Sequence, residues 1–376
     1  MNTSQQLHAA GQSVWYDNVE RRLLNNGELA GMIARGEIRG VTSNPTIFMN
    51  AVTKSHDYDA GLAALARAGK TGEEIFWDLA IEDIQTAADL LLPLYEQTDR
   101  GDGYVSLEVN PYLANDMLAT LSEAKRLWKR VNRPNLMVKI PATVEGLPAI
   151  LHAIEAGINV NVTLIFSRDR YWAVMEMVIS GLARRVAAGL PIDTIASVAS
   201  FFVSRVDTKV DGHLAGMIDR GGARAEKAAQ FLGQAAVANA RLAYNDYKII
   251  FGSERFAALK AKGGRAQRPL WASTGTKNPA YRDVVYIEEL VGQNTVNTVP
   301  PATLAAFLDH GVVRANSLEE DLPGAYQAMA RLEALGISRA NVTAELEAEG
   351  VKSFAGAWKA LMDTMEAQRK TVAGDN

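Results

Sequence analysis

The sequence predicts an α/β fold, a (β/α)8 barrel with additional helices in an insertion and at its C-terminus. Three observations lead there. Short β-branched runs alternate with longer segments whose apolar residues recur three or four apart, the rhythm of βα units around a parallel sheet. Eight such strand candidates occur, the number that closes a barrel. Each carries a polar or charged residue near its C-terminal end, and parallel strands bring those ends to one mouth.

The strand candidates are residues 14–16, 41–42, 104–109, 136–140, 158–166, 195–203, 270–273 and 295–299. Between them, Leu113, Met117, Leu121, Leu127, Trp128 and Val131 define one helical face, and Leu147, Ile150, Leu151 and Ile154 another. Thr143 is placed to cap the second helix, and Gly157 to end it before the next strand. A helical insertion is expected over about 49–100 and a helical tail over about 310–376. No proline- or serine-rich linker divides the chain, so one domain spanning residues 1–376 is expected.

Composition narrows the function. At 376 residues and 48% hydrophobic, the chain can bury a large core. A net charge of -4 leaves no basic footprint for nucleic acid or anionic lipid. Cysteine is absent, which excludes disulfides, thiolate metal sites and cysteine nucleophiles. His8, His56, His152, His213 and His310 are scattered without a ligand pair, so no metal is expected. The polar start lacks the apolar centre of a signal peptide, and no run approaches the ~20 apolar residues of a membrane span. A cytoplasmic protein acting on small molecules, as a monomer or small homo-oligomer, is the expectation.

Lys139 lies in the apolar run Leu136-Met137-Val138-Lys139-Ile140-Pro141-Ala142. A buried ammonium loses hydration, which favours a neutral amine able to add to a carbonyl and form a Schiff base. The plain reading of a single lysine is an edge-strand residue whose tip reaches solvent. Glu108, in Ser106-Leu107-Glu108-Val109, tips the balance, because turn starts favour Gly, Asn, Asp and Ser over Lys and Glu. The other strand-end residues are Asp17, Asn44, Thr163 with Asn161, Ser200, Ser273 and the 294–298 segment.

A phosphate site is legible after the sixth and seventh strands, where Arg205 follows Ser200-Phe201-Phe202-Val203-Ser204 and Lys277 follows Ser273-Thr274-Gly275-Thr276. Arg205 also fits a solvated helix start, since Arg205, Asp207, Lys209 and Asp211 alternate in sign. The run Ala64 to Thr71 imitates a nucleotide-binding loop. Such a loop must follow a strand, whereas here Gly69 reads as a helix stop and Thr71 with Glu74 as a capping box.

These strand ends resemble the transaldolase family in its longer bacterial form. Gly40-Val41-Thr42-Ser43-Asn44-Pro45-Thr46-Ile47-Phe48 is similar to its T-S/T-N-P-S/T signature, and Val138 to Thr143 to its Schiff-base lysine segment. Ser106 to Val109, Asn161 to Ser167 and Ser200 to Arg205 match in order and spacing, and the likeness runs from Asp17 to about Asn297. The resemblance implies a class I aldolase-type barrel that needs neither metal nor cofactor. It implies transfer of a dihydroxyacetone unit from sedoheptulose 7-phosphate to glyceraldehyde 3-phosphate, giving erythrose 4-phosphate and fructose 6-phosphate.

Carried over, Lys139 is the nucleophile and Asp17 takes the proton from the C4 hydroxyl. Glu108 and Thr163 hold a proton-shuttling water. Asn44, Asn161 and Ser200 bind hydroxyls, while Arg205 and Ser273 bind phosphate. The chain departs from the family after Ser273: where many members have an arginine shortly after the serine, it reads Thr274-Gly275-Thr276-Lys277, and Lys277 as a substitute lacks the bidentate fork. Phe201 or Phe202 is expected to shelter the enamine until the acceptor arrives. Three other readings stay open: a simple class I aldolase without transfer, a non-catalytic sugar-phosphate-binding protein, and a nucleotide-binding ATPase.

Overall fold

The computed structural model describes residues 1–373. Its eight strands are β1 (Gln12–Tyr16), β2 (Gly40–Val41), β3 (Tyr104–Glu108), β4 (Leu136–Pro141), β5 (Val160–Ile165), β6 (Ser197–Phe202), β7 (Arg268–Ala272) and β8 (Thr295–Val299). They close in sequence order into a parallel barrel, β8 pairing back onto β1 from Gln12 opposite Thr295 to Tyr16 opposite Val299. Helices cover the outside and side chains fill the inside, so β4, β5 and β6 are buried at every position.

The pleat then decides the chemistry. Glu108 pairs with Lys139, and Lys139 with Asn161. Neighbouring residues in register share a face, so these three side chains point into the barrel at one level. A register shift between Val162 and Ile165 interrupts β5, and Leu164 there adopts φ +59°. A leucine in the left-handed region is strained, and such strain concentrates at functional positions.

Most helices begin and end where local chemistry directs. Asn44 caps the helix Pro45–Thr53, its Oδ1 accepting the Ile47 N–H at 3.0 Å, with Pro45 preset for the first helical position. The insertion therefore starts at Pro45, ahead of the predicted residue 49, and continues through Asp59–Arg67 and Gly72–Gln97. Thr143 Oγ1 accepts the Gly146 N–H at 3.0 Å, capping Gly146–Glu155. Gly157 turns the chain at φ +87°. In Met117–Val131 the buried residues are Thr120, Ala124, Leu127 and Val131, a face rotated from the predicted one because Leu113 lies in a preceding 3-10 turn. The nucleotide-loop imitation is a helix end: Gly69 follows Asp59–Arg67 at φ +79°, and Thr71 and Glu74 form the reciprocal capping box.

The tail matters most for the mouth. Beyond Pro301–His310 come helices Leu322–Ala334 and Arg339–Ala373. The last buries Phe354, Trp358, Leu361 and Met365, spaced four, three and four apart. Trp358 packs edge-on to Phe76 at 5.0 Å and tilts against Trp77 at 5.4 Å, both on the insertion helix Gly72–Gln97. Full burial of each such side chain contributes about 1.5–3 kcal/mol, which makes this helix a fixed roof. Among the described residues no helix is long and apolar enough to cross a membrane.

Candidate active site

Lys139 is 5% exposed. Its Nζ donates to the Ser43 carbonyl at 3.1 Å and lies 3.3 Å from Glu108 Oε2. Above it, 5.8 Å from the nitrogen, is the ring of Phe354 on the roof helix. The plain reading of a solvent-seeking lysine does not hold here. The roof approaches closely because Gly350 has no side chain: a Cβ there would meet Leu164 Cδ2 at 2.9 Å. The strained bulge in β5 and this glycine thus form one contact.

Burial pushes the Glu108 carboxyl up to about 7, opposed by the Lys139 cation and reinforced by the Asp17 charge. Thr163 Oγ1 is buried without a hydrogen-bond partner, and Glu108 Oε2 has the Lys139 ammonium at 3.3 Å as its neighbour. Buried polar atoms are rarely left without a partner, and Thr163 lies two residues beyond Asn161 on the same face of β5.

Asp17 follows β1 directly. Its Oδ1 accepts from Thr42 Oγ1 at 2.7 Å, and Thr298 Oγ1 backs Thr42 at 2.6 Å. Burial raises its carboxyl above the usual range, while Lys139, the Thr42 hydrogen bond and Lys277 pull the other way. Asn161 sits at the level of Lys139, its amide donating to Ser106 Oγ at 3.0 Å and its Oδ1 accepting from Ser200 Oγ at 2.7 Å. Asn161 and Ser200 thus satisfy each other in a polar floor under the amine. Asn44 uses its oxygen as a helix cap.

Two cations stand at the other side of the mouth. Arg205 makes no ion pair or hydrogen bond among the described residues and lies 5.3 Å over the Phe202 ring. Burial lowers its pKa, and Glu349 on the roof helix supplies the opposing field. The helix Ser204–Ile218 starts here without a side-chain cap; the Ser204 N–H donates to the Ser273 carbonyl at 3.1 Å and the Val206 N–H to the Val203 carbonyl at 2.9 Å. Ser204 Oγ and Ser273 Oγ are 3.1 Å apart, and Ser273 holds φ +55°. Lys277 is exposed on the following loop. Phe202 faces the mouth, 5.1 Å from Phe166. Phe201 points outward onto Tyr171 at 6.0 Å, so of the two expected shelters only Phe202 is available.

Sequence reasoning missed Thr42, the Ser43 carbonyl, Ser106 and Phe354. Thr42 and Ser43 lie inside the T-S-N-P run and were legible as neighbours of Asn44. Phe354 left no signal beyond helical spacing. Among the described residues, no group of three or more His, Asp or Glu side chains is placed to hold a metal ion.

The family model for transaldolase/fructose-6-phosphate aldolase matches residues 14–365. The chain belongs to this family. It is 49% identical to a transaldolase of Thermobifida fusca over 97% of each chain. It is 48% identical to one of Saccharopolyspora erythraea, covering 98% of this chain and 99% of the relative. A Mycobacterium tuberculosis transaldolase is 46% identical over 98% and 97%. The matched span includes Phe354 and the roof helix as far as residue 365. The chain is accordingly an enzyme of the transaldolase family, a transferase acting on small molecules.

Proposed function

We propose that this chain transfers a dihydroxyacetone unit from sedoheptulose 7-phosphate to glyceraldehyde 3-phosphate through a Schiff base on Lys139. The observation that carries the reading is the roofed amine, 3.3 Å from a carboxyl held near 7 and beneath Phe354. The amine adds to the ketose C2 carbonyl. Glu108, with a water held against Thr163, gives the proton on which the carbinolamine hydroxyl leaves as water. In the iminium that remains, Asp17 takes the C4 hydroxyl proton, the C3–C4 bond breaks, and its electrons enter the iminium as a neutral enamine. Erythrose 4-phosphate departs. The enamine carbon then attacks the acceptor aldehyde, Asp17 returns its proton, and hydrolysis of the new Schiff base frees fructose 6-phosphate.

Asn44 and the floor of Asn161 and Ser200 bind substrate hydroxyls. Arg205, Ser273 and Lys277 receive the phosphate. Charged sugar phosphates do not cross lipid unaided, which favours work in the cytoplasm. Product analysis tests the reading. With both substrates, erythrose 4-phosphate and fructose 6-phosphate are expected in equal amounts over many turnovers. Without acceptor, about one equivalent of erythrose 4-phosphate per enzyme should appear. Steady release of free dihydroxyacetone at the transfer rate would establish a simple aldolase instead.

Glu108 gives a pH signature. Below about 7 it is protonated and can donate, and above that it is the carboxylate. The rate advantage of the native enzyme over Glu108→Gln in Schiff-base formation should be largest below pH 7, roughly 10²-fold or more, and decline above it. Borohydride trapping rates from pH 5.5 to 9 measure this; a ratio flat across the range removes Glu108 from proton transfer.

A further inference from the structure

A cavity of about 840 Å³ lies at the opposite end of the barrel, away from Lys139. Six cations line it: Arg39, Arg100, Lys248, Lys260, Arg265 and Arg268. Asp102 is the one lining carboxylate. This is a marked reversal in a chain whose net charge is -4.

The pairing is incomplete. Asp102 accepts from Arg39 Nε at 2.7 Å, Arg268 Nη1 at 3.2 Å, Ser13 Oγ at 2.6 Å and Trp15 Nε1 at 3.0 Å. Despite burial, which alone would raise it, the two arginines hold its carboxyl below the usual range. Two guanidinium groups therefore share one negative charge. Arg100, Arg265 and Lys248 pair with Asp193, Asp99 and Glu319, and Asp99 is 87% exposed. Lys260 has no ion pair among the described residues. Six cations against four carboxylates leave two positive charges around the cavity. The Arg39 side chain is only 16% exposed, yet its two Nη groups make no hydrogen bond among the described residues.

Lys248 and Lys260 lie in the last turns of Ala235–Phe251 and Glu254–Lys260, where they complement the helix dipoles, but that does not account for the four arginines. Arg39, Arg100 and Arg265 lie on loops leading into strands, and Arg268 is the first residue of β7. A cavity of this size with forked donors on its walls suits a small molecule carrying two or more phosphate charges. We infer that this basal cavity is a second binding site, for a diphosphate or bisphosphate metabolite, separate from the sugar-phosphate site at the mouth.

Inorganic pyrophosphate is the probe, read by calorimetry and by Tm, with sodium chloride at equal ionic strength as control. Arg265→Ala combined with Lys260→Ala removes basal donors that bear little of the fold. Arg205→Ala combined with Lys277→Ala disables the mouth. Pyrophosphate should raise the Tm of the native protein and of the mouth variant alike, beyond the salt control. In the basal variant its affinity should fall about tenfold or more. Binding lost in the mouth variant, kept in the basal variant, or matched by sodium chloride would each overturn the inference, as would no binding to the native protein. Loss of catalysis at the mouth leaves this readout untouched.

Discussion

Lys139→Ala is expected to reduce transfer by on the order of 10⁴- to 10⁶-fold, the loss seen when a covalent nucleophile is removed. Borohydride with fructose 6-phosphate should label the native enzyme at Lys139 and leave the variant unlabelled, as read by mass spectrometry of the digested protein. The fold should survive, because Glu108 can take up a proton and remain buried as a neutral acid. Its carboxyl is already raised to about 7 by burial, and losing the Lys139 cation raises it further. Lys139→Arg keeps the cation beside Glu108 but cannot form the imine. Both variants should therefore be inactive, with Lys139→Arg closer to native stability. Labelling at another lysine, or native rates in either variant, would end the assignment.

That expectation rests on features of unequal visibility in the sequence. Lys139 and Glu108 stood out because charges interrupt apolar strands, and the pleat brings them together with no help from distant chain. The barrel itself was legible from the βα rhythm, down to the two-residue β2. Strand starts were harder. β1 begins at Gln12 and β7 at Arg268, two residues ahead of expectation in each case, because their first side chains are polar. Those side chains serve the base of the barrel: Gln12 bonds to the Leu290 carbonyl at 2.6 Å, and Arg268 reaches Asp102. Periodicity detects apolar burial and is blind to such networks.

The roof was illegible for another reason. Spacing in the last helix indicates that Phe354 and Trp358 are buried, without saying against what. Contact with an amine 215 residues earlier depends on the insertion helix that holds Trp358, on Gly350, and on the bulge at Leu164. Each is an ordinary residue until the tertiary structure assembles them. The roof in turn explains a property that the floor cannot supply. An enamine awaiting a second substrate must be kept from protonation by water, and the Phe354 ring, 5.8 Å from the Lys139 nitrogen, puts apolar surface there.

Asp17→Asn separates bond making from bond breaking. Asp17 accepts from Thr42 Oγ1 at 2.7 Å, and the charges of Lys139 and Lys277 both act on its carboxyl. With the proposed acceptor of the C4 hydroxyl proton removed, kcat should fall about 10²- to 10⁴-fold. Formation of the Schiff base uses Glu108 and is expected to proceed. The variant should therefore accumulate the uncleaved adduct, and borohydride should trap the whole ketose on Lys139 by mass. The native enzyme would instead yield the three-carbon fragment. Asparagine preserves size and the Thr42 contact, so a structural defect is not the expected cause. Loss of trapping together with turnover would move Asp17 to the imine-forming step, and full activity would remove it from the chemistry.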